Sequence, residues 1–274
     1  MTLPGGQVKG FLLDITGVLY NSGPSGGQVI GGSVEAIVRG KQSAIRQQRV
    51  HFDARKTVGE VAAFGLRHQV GRSVHSGARC CGVCEQTETA TAPAGPQRST
   101  SFNSALLGIV DDFASCDRQN PNCVVVGDAE NNFNYENMNA AFRVLLNSER
   151  PLLVSLGCGR FYQRVDGPVM DLGGFAKALV YASDCEHVII GKPQKSYFMH
   201  AVESLGLTAA EVVMIGDDIA SDVAGAQEHG IRAVQVRTGK WRSEWEDHYV
   251  KPDLIADDLL SAVTTILNSQ NVSK

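Results

Sequence analysis

The chain contains no apolar run approaching the roughly 18 residues that a membrane-spanning helix requires, which argues against a membrane protein. Met1 to Lys9 lacks the charged start and apolar stretch of a secretory leader. A basic excess is missing too. The net charge is −4 and the pI near 6.0, so there is no positive field for nucleic acid or anionic lipid. Seven cysteines, an odd number in 274 residues, do not make a disulfide framework and favour a reduced, cytoplasmic compartment. What remains is ordinary globular usage, 43% hydrophobic and 20% charged, at a length suited to one large domain or two smaller ones.

One stretch organises the rest. Val8 to Leu13 is a short apolar run that ends in Asp14, followed by Ile15, Thr16 and Gly17. A buried strand ending in Asp-x-Thr-Gly delivers a carboxylate and a backbone carbonyl to the carboxyl edge of a sheet, where α/β proteins bind ligands. The plain alternative is an Asx-turn in which Asp14 serves only its own backbone.

Strand-like and helix-like segments then alternate. Asn21 to Gly27 is a loop by composition, and Ser33 to Arg39 starts a helix. Between Gly40 and Asp117 no period is sustained, although Val58–Leu66 has helical character and Ser104–Val110 is apolar. Cys81 and Cys84 form a CxxC, but no second ligand pair accompanies them, and incidental free thiols are the simpler reading. From Pro121 order returns. Strands are expected at 122–126, 152–156, 187–190, 211–215 and 231–236. Helical stripes run through Tyr135, Met138, Phe142 and Leu145, through Leu172, Phe175, Ala176 and Leu179, and through Phe198, Ala201, Val202 and Leu205. Pro193 suits the first turn of that last helix. Another helix should follow Asp222, and Asp257 should cap a final one. Such alternation implies a parallel sheet.

Three of the strand ends carry polar groups: Asp14 with Thr16, Lys192, and Asp217 with Asp218 and Asp222. Taken singly, each has a bland explanation as a solvated lysine or a helix cap. Together they suggest more. Clustered carboxylates repel unless a cation sits among them, and oxygen-only ligands suit Mg²⁺. A lysine would neutralise the remaining charge of a phosphoryl group. Nucleophilic Asp, Mg²⁺ and Lys together point to phosphoryl transfer through an aspartyl-phosphate.

The stretches Asp14–Tyr20, Gly191-Lys192-Pro193 and Gly216-Asp217-Asp218 with Asp222 resemble motifs one, three and four of the haloacid dehalogenase superfamily of phosphatases. The stretches 12–20, 120–125, 135–139, 213–219 and 235–240 are similar to the branch that acts on phosphohistidine, phospholysine and inorganic pyrophosphate. The likeness covers residues 8–39 and 118–268. It implies Asp14 as nucleophile and metal ligand, with Thr16 offering its carbonyl to Mg²⁺ and Asp217 as second carboxylate ligand. Asp218 and Asp222 would support the metal, and Lys192 would hold the phosphoryl group. The N–H groups of Ile15 and Thr16 would face the phosphate oxygens.

Most of the superfamily has a second Asp at position 16, the general acid for an alcohol leaving group. Threonine cannot fill that role, and losing such help costs about 10²–10⁴-fold for a poor leaving group. Phosphate, or an amine or imidazole that takes a proton on nitrogen, depends less on an enzyme acid. Thr16 therefore favours P–N and P–O–P bonds. The second motif of the family carries a Thr-Asn pair that binds phosphoryl oxygens. Here the matching place, Phe52 to Thr57, lacks that pair.

The expected architecture is a doubly wound, Rossmann-like α/β core, residues 1–74 and 186–274, with an inserted α/β cap at 75–185. Asp166 to Gly174 is the expected substrate-facing cap loop. The expected function is a Mg²⁺-dependent phosphatase and diphosphatase, a homodimer by resemblance, in the cytoplasm and by extension the nucleus, with neither nucleic acid nor membrane as partner. The alternatives are a non-catalytic relative that binds phosphate or a protein, and a broader small-molecule phosphatase.

Overall fold

A computed structural model of the protein describes residues 6–23, 27–43, 80–83, 123–127 and 130–271. The chain divides into two units, Met1–Phe52 with Tyr162–Val169 and Phe198–Lys274, and Asp53–Phe161 with Met170–Tyr197. In chain order the strands are β1 (Gly10–Leu13), β2 (Tyr20–Asn21), β3 (Gln28–Val29), β4 (Cys80–Val83), β5 (Cys123–Val126) and β6 (Leu152–Ser155). They continue with β7 (Phe161–Arg164), β8 (Gly167–Met170), β9 (Glu186–Ile189), β10 (Val212–Gly216), β11 (Arg232–Val236) and β12 (Leu254–Ala256).

In the first unit the described strands form a parallel sheet in the order β1-β10-β11-β12. Every residue of β10 is buried, as expected of a parallel strand covered on both faces, which has an unbroken apolar run. Helix Leu259–Asn271 supplies Leu259, Ala262, Val263 and Ile266 to the core, the i, i+3, i+4, i+7 stripe of a helix lying on a sheet. There they meet Phe11, Val213, Ile215, Val234 and Val236. Full burial of a side chain such as Ile266 contributes roughly 1.5–3 kcal/mol. Asp258, not Asp257, caps this helix, its Oδ1 accepting the Ser261 N–H at 2.7 Å. Asp257 instead pairs with Arg237 at 2.9 Å.

The second unit carries a parallel sheet in the order β4-β5-β6-β9. Its core joins Val124, Val126 and Leu153 to Leu145, Leu172, Ala176 and Leu179 from helices Tyr135–Asn147 and Leu172–Ser183. Asn134 and Asp171 cap those helices. Tyr135 leaves the expected stripe and is 88% exposed, because it is the first helical residue and the apolar face begins at Met138. Cys123 is in a disulfide, where the cysteine count pointed to a reduced chain, while Cys158 and Cys185 carry thiols. The stretch 166–174 builds the β7–β8 turn, β8 and the cap of helix Leu172–Ser183.

Two helical expectations shift. The helix after Pro193 begins at Lys195, and a turn closed by Gln194 N–H to Gly191 O at 2.8 Å precedes it. The helix expected after Asp222 is short, Gly225–Gln227, and a π-helical turn, Ile219–Ala224, leads into it. Phe52–Thr57, Val58–Leu66, Ser104–Val110 and Cys84 lie outside the described residues. β4, which periodicity did not signal, is described by its backbone alone.

Candidate active site

β1 and β10 are neighbours in register, Leu13 opposite Ile215. The Asp14 N–H continues the ladder, donating to Ile215 O at 3.0 Å. Because the strands are parallel, the residues just past their C-terminal ends emerge at the same edge: Asp14 after β1, and Asp217 after Gly216 closes β10. Asp222 joins them from the π-helical turn. A Cβ on Gly216 would overlap the Asp222 carboxylate, so only glycine permits this approach. One carboxylate oxygen from each of Asp14, Asp217 and Asp222 lies within 4.8 Å of the others.

The chain reverses after Asp14. Ile15 O accepts N–H bonds from Val18, Leu19 and Tyr20 at 3.3, 2.8 and 3.3 Å, and Gly17 N–H donates to Tyr20 O at 2.7 Å. These hydrogen bonds leave out the N–H groups of Ile15 and Thr16. Gly17 has φ +93°, and a Cβ there would overlap Asp217 Oδ2.

A third loop, beyond β11, completes the wall. Lys240 N–H donates to Asp217 Oδ2 at 2.8 Å, and Lys240 Nζ lies 3.1 Å from Asp218 Oδ2. Thr238 Oγ1 donates to Gly17 O at 2.5 Å, tying this loop to the one after Asp14. Asp218 accepts the Ala220 and Ser221 N–H groups on Oδ1, and its own N–H donates to Asp222 Oδ2 at 3.1 Å. Lys240, Thr238 and the fully buried Gln235, whose Nε2 is 3.5 Å from Asp217 O, lie in the stretch 235–240 that carries the resemblance, but the sequence assigned them no role at the site. The available signals were a glutamine inside an apolar strand and a Thr-Gly pair just past a strand end.

Burial, then the neighbouring charge of Asp14, pushes the Asp217 carboxyl well above the usual range. Burial also raises Asp218, but the Lys240 ammonium and the Ser221 and Ala220 donors outweigh it, and the net shift is downward. Lys240 is lowered by burial and raised more strongly by Asp218, Asp217, Asp222 and Asp14, for a net rise.

The donor set fits a hard divalent cation. Asp217 is fully buried, and its Oδ1 has no hydrogen-bond partner. A buried carboxylate oxygen left unsatisfied among like charges is the kind of donor that a cation with oxygen ligands takes up. Lys192 follows β9 and is held by the second unit, where its carbonyl accepts from Cys158 Sγ at 3.5 Å.

A HAD-hydrolase-like family model matches residues 189–262, and phosphatases of that kind align with nearly the whole chain. The chain belongs to the haloacid dehalogenase-like family of phosphatases. It is 43% identical over 266 residues to the phospholysine phosphohistidine inorganic pyrophosphate phosphatase of Homo sapiens, covering 95% of this chain and 94% of that one. The Rattus norvegicus protein of the same name is 42% identical with the same coverage. Among solved structures, a 4-nitrophenylphosphatase from Thermotoga maritima shares the fold at a TM-score of 0.69 and 20% identity, over 94% of this chain and 97% of that one.

Proposed function

We propose that the protein is a Mg²⁺-dependent phosphatase that works through an aspartyl-phosphate on Asp14 and prefers P–N and P–O–P bonds. Phosphohistidine, phospholysine and inorganic pyrophosphate would be its substrate types. The convergence of Asp14, Asp217 and Asp222 at one strand edge supports this reading most directly.

The residues divide the work. An Asp14 oxygen attacks phosphorus while the P–N or P–O bond breaks, and water then cleaves the acyl phosphate to release inorganic phosphate and restore Asp14. The N–H groups of Ile15 and Thr16 and the Lys192 ammonium would meet the phosphoryl oxygens. Asp14, the Thr16 carbonyl and Asp217 would hold Mg²⁺, supported by Asp218 and Asp222. When bound, Mg²⁺ neutralises the carboxylates and the phosphoryl charge so that the two can approach. The homodimer suggested by resemblance belongs to the same proposal.

The absence of the Thr-Asn pair between Phe52 and Thr57 favours one alternative, a relative that binds phosphate or a protein without turnover. Imidodiphosphate hydrolysis with and without Mg²⁺ separates the two. Turnover that needs the metal is expected, and well-folded protein without turnover would favour the binding module. Faster turnover of sugar or glycolate phosphates would point to a broader small-molecule phosphatase.

A further inference from the structure

Lys240 is an unusual lysine. It is 8% exposed, and its ammonium lies 3.1 Å from Asp218 Oδ2. Its own backbone N–H holds Asp217 Oδ2 at 2.8 Å. The carboxylates of Asp218, Asp217, Asp222 and Asp14 together favour its charged form. The loop cannot easily move away. Gly239, at φ +60°, would collide with Asp217 Oδ2 if it carried a Cβ, and Thr238 is bonded to Gly17. Lys240 is thus fixed by backbone geometry to Asp217 and by its side chain to Asp218.

We propose that Lys240 is a positioning residue for the carboxylate cluster, a resident counter-ion that holds Asp218 in place and sets how tightly Asp14, Asp217 and Asp222 bind a divalent cation. The inference rests on the reading that this cluster takes Mg²⁺. Unscreened carboxylates at these distances repel strongly in a buried setting. One ammonium beside the cluster offsets part of that repulsion before the metal arrives, and as a like charge it opposes the metal once it is there. Lys240 therefore exchanges cation affinity for an ordered metal-free site. Asp218, engaged by Lys240 and by two backbone N–H groups, is kept as a support and not drawn in as a further ligand.

The test is a Mg²⁺ titration of the full chain by calorimetry and by tryptophan fluorescence, since Trp241 and Trp245 both lie near Lys240 in sequence. Lys240→Met should bind Mg²⁺ on the order of tenfold tighter than wild type, because a cation is removed from beside the site. Lys240→Arg should match wild type. A merely structural defect would loosen binding, so the direction of the change discriminates. Should Lys240→Met not fold, Lys240→Gln decides, since it removes the charge while its amide can still donate to Asp218. Tighter Mg²⁺ binding in Lys240→Gln supports the inference, and an unfolded variant or one that binds as wild type or weaker overturns it. Unchanged or weaker binding in folded Lys240→Met overturns it as well. Wild-type protein that binds no Mg²⁺ overturns the underlying metal reading, a distinguishable result.

Discussion

At the scale of single residues, Thr16 carries the claim about which bond is broken. Thr16→Asp supplies the general acid that an alcohol leaving group needs, so turnover of an alkyl phosphate relative to imidodiphosphate should rise by about 10²-fold. Steady-state rates on both substrates measure the ratio, and an unmoved ratio would contradict that role for position 16. His187 offers a test unconnected with the site. Its Nε2 lies 2.8 Å from Ser155 Oγ, and burial, with the charge of Lys177, lowers its pKa from 6.5. The folded state holds the imidazole neutral while the unfolded chain takes up a proton first. The contribution of His187 to stability is therefore fully present above pH 6.5 and is lost as pH falls through the lowered folded value. Melting temperature against pH should fall less steeply on the acid side in His187→Gln than in wild type. Equal slopes would show that His187 contributes nothing.

At the scale of elements, the loops beyond β1, β10 and β11 act as one device around Asp217. Gly239→Ala forces a side chain into the left-handed region and against the Asp217 carboxylate. Backbone strain of this kind costs about 1–3 kcal/mol, and thermal or urea unfolding should show a loss at least that large. A variant as stable as wild type would mean that the loop relaxes freely. The same loops divide into parts that sequence could foretell and parts it could not. β1, β10 and β11 are apolar runs that end abruptly in polar residues, so Asp14 and Asp217 were legible from their positions after strand ends. The π-helical turn was not, because Ile219–Ala224 has ordinary helical composition. Its start is capped by Asp218, and Asp222 accepts the Asp218 N–H. Lys240 was hidden for a similar reason. A lysine after glycine is usually solvated, and only the register of three loops makes this one a buried partner. β4 was hidden because Cys-Cys-Gly-Val resembles a turn as much as a strand.

At the scale of the whole molecule, the two units each have their own parallel sheet and core, and the alternation of strands and helices along the chain foretold that class. The first unit brings together Asp14, Asp217, Asp222 and Lys240, and the second carries Lys192. The central claim is that Asp14 becomes phosphorylated during turnover. Wild-type protein turning over imidodiphosphate with Mg²⁺, quenched in acid and digested, should yield the Asp14 peptide carrying a phosphoryl group. The adduct should vanish when the metal is chelated. Asp14→Asn should form no adduct and release no phosphate. Wild-type turnover retained in Asp14→Asn, or a phosphoryl group found on another residue, would contradict the account.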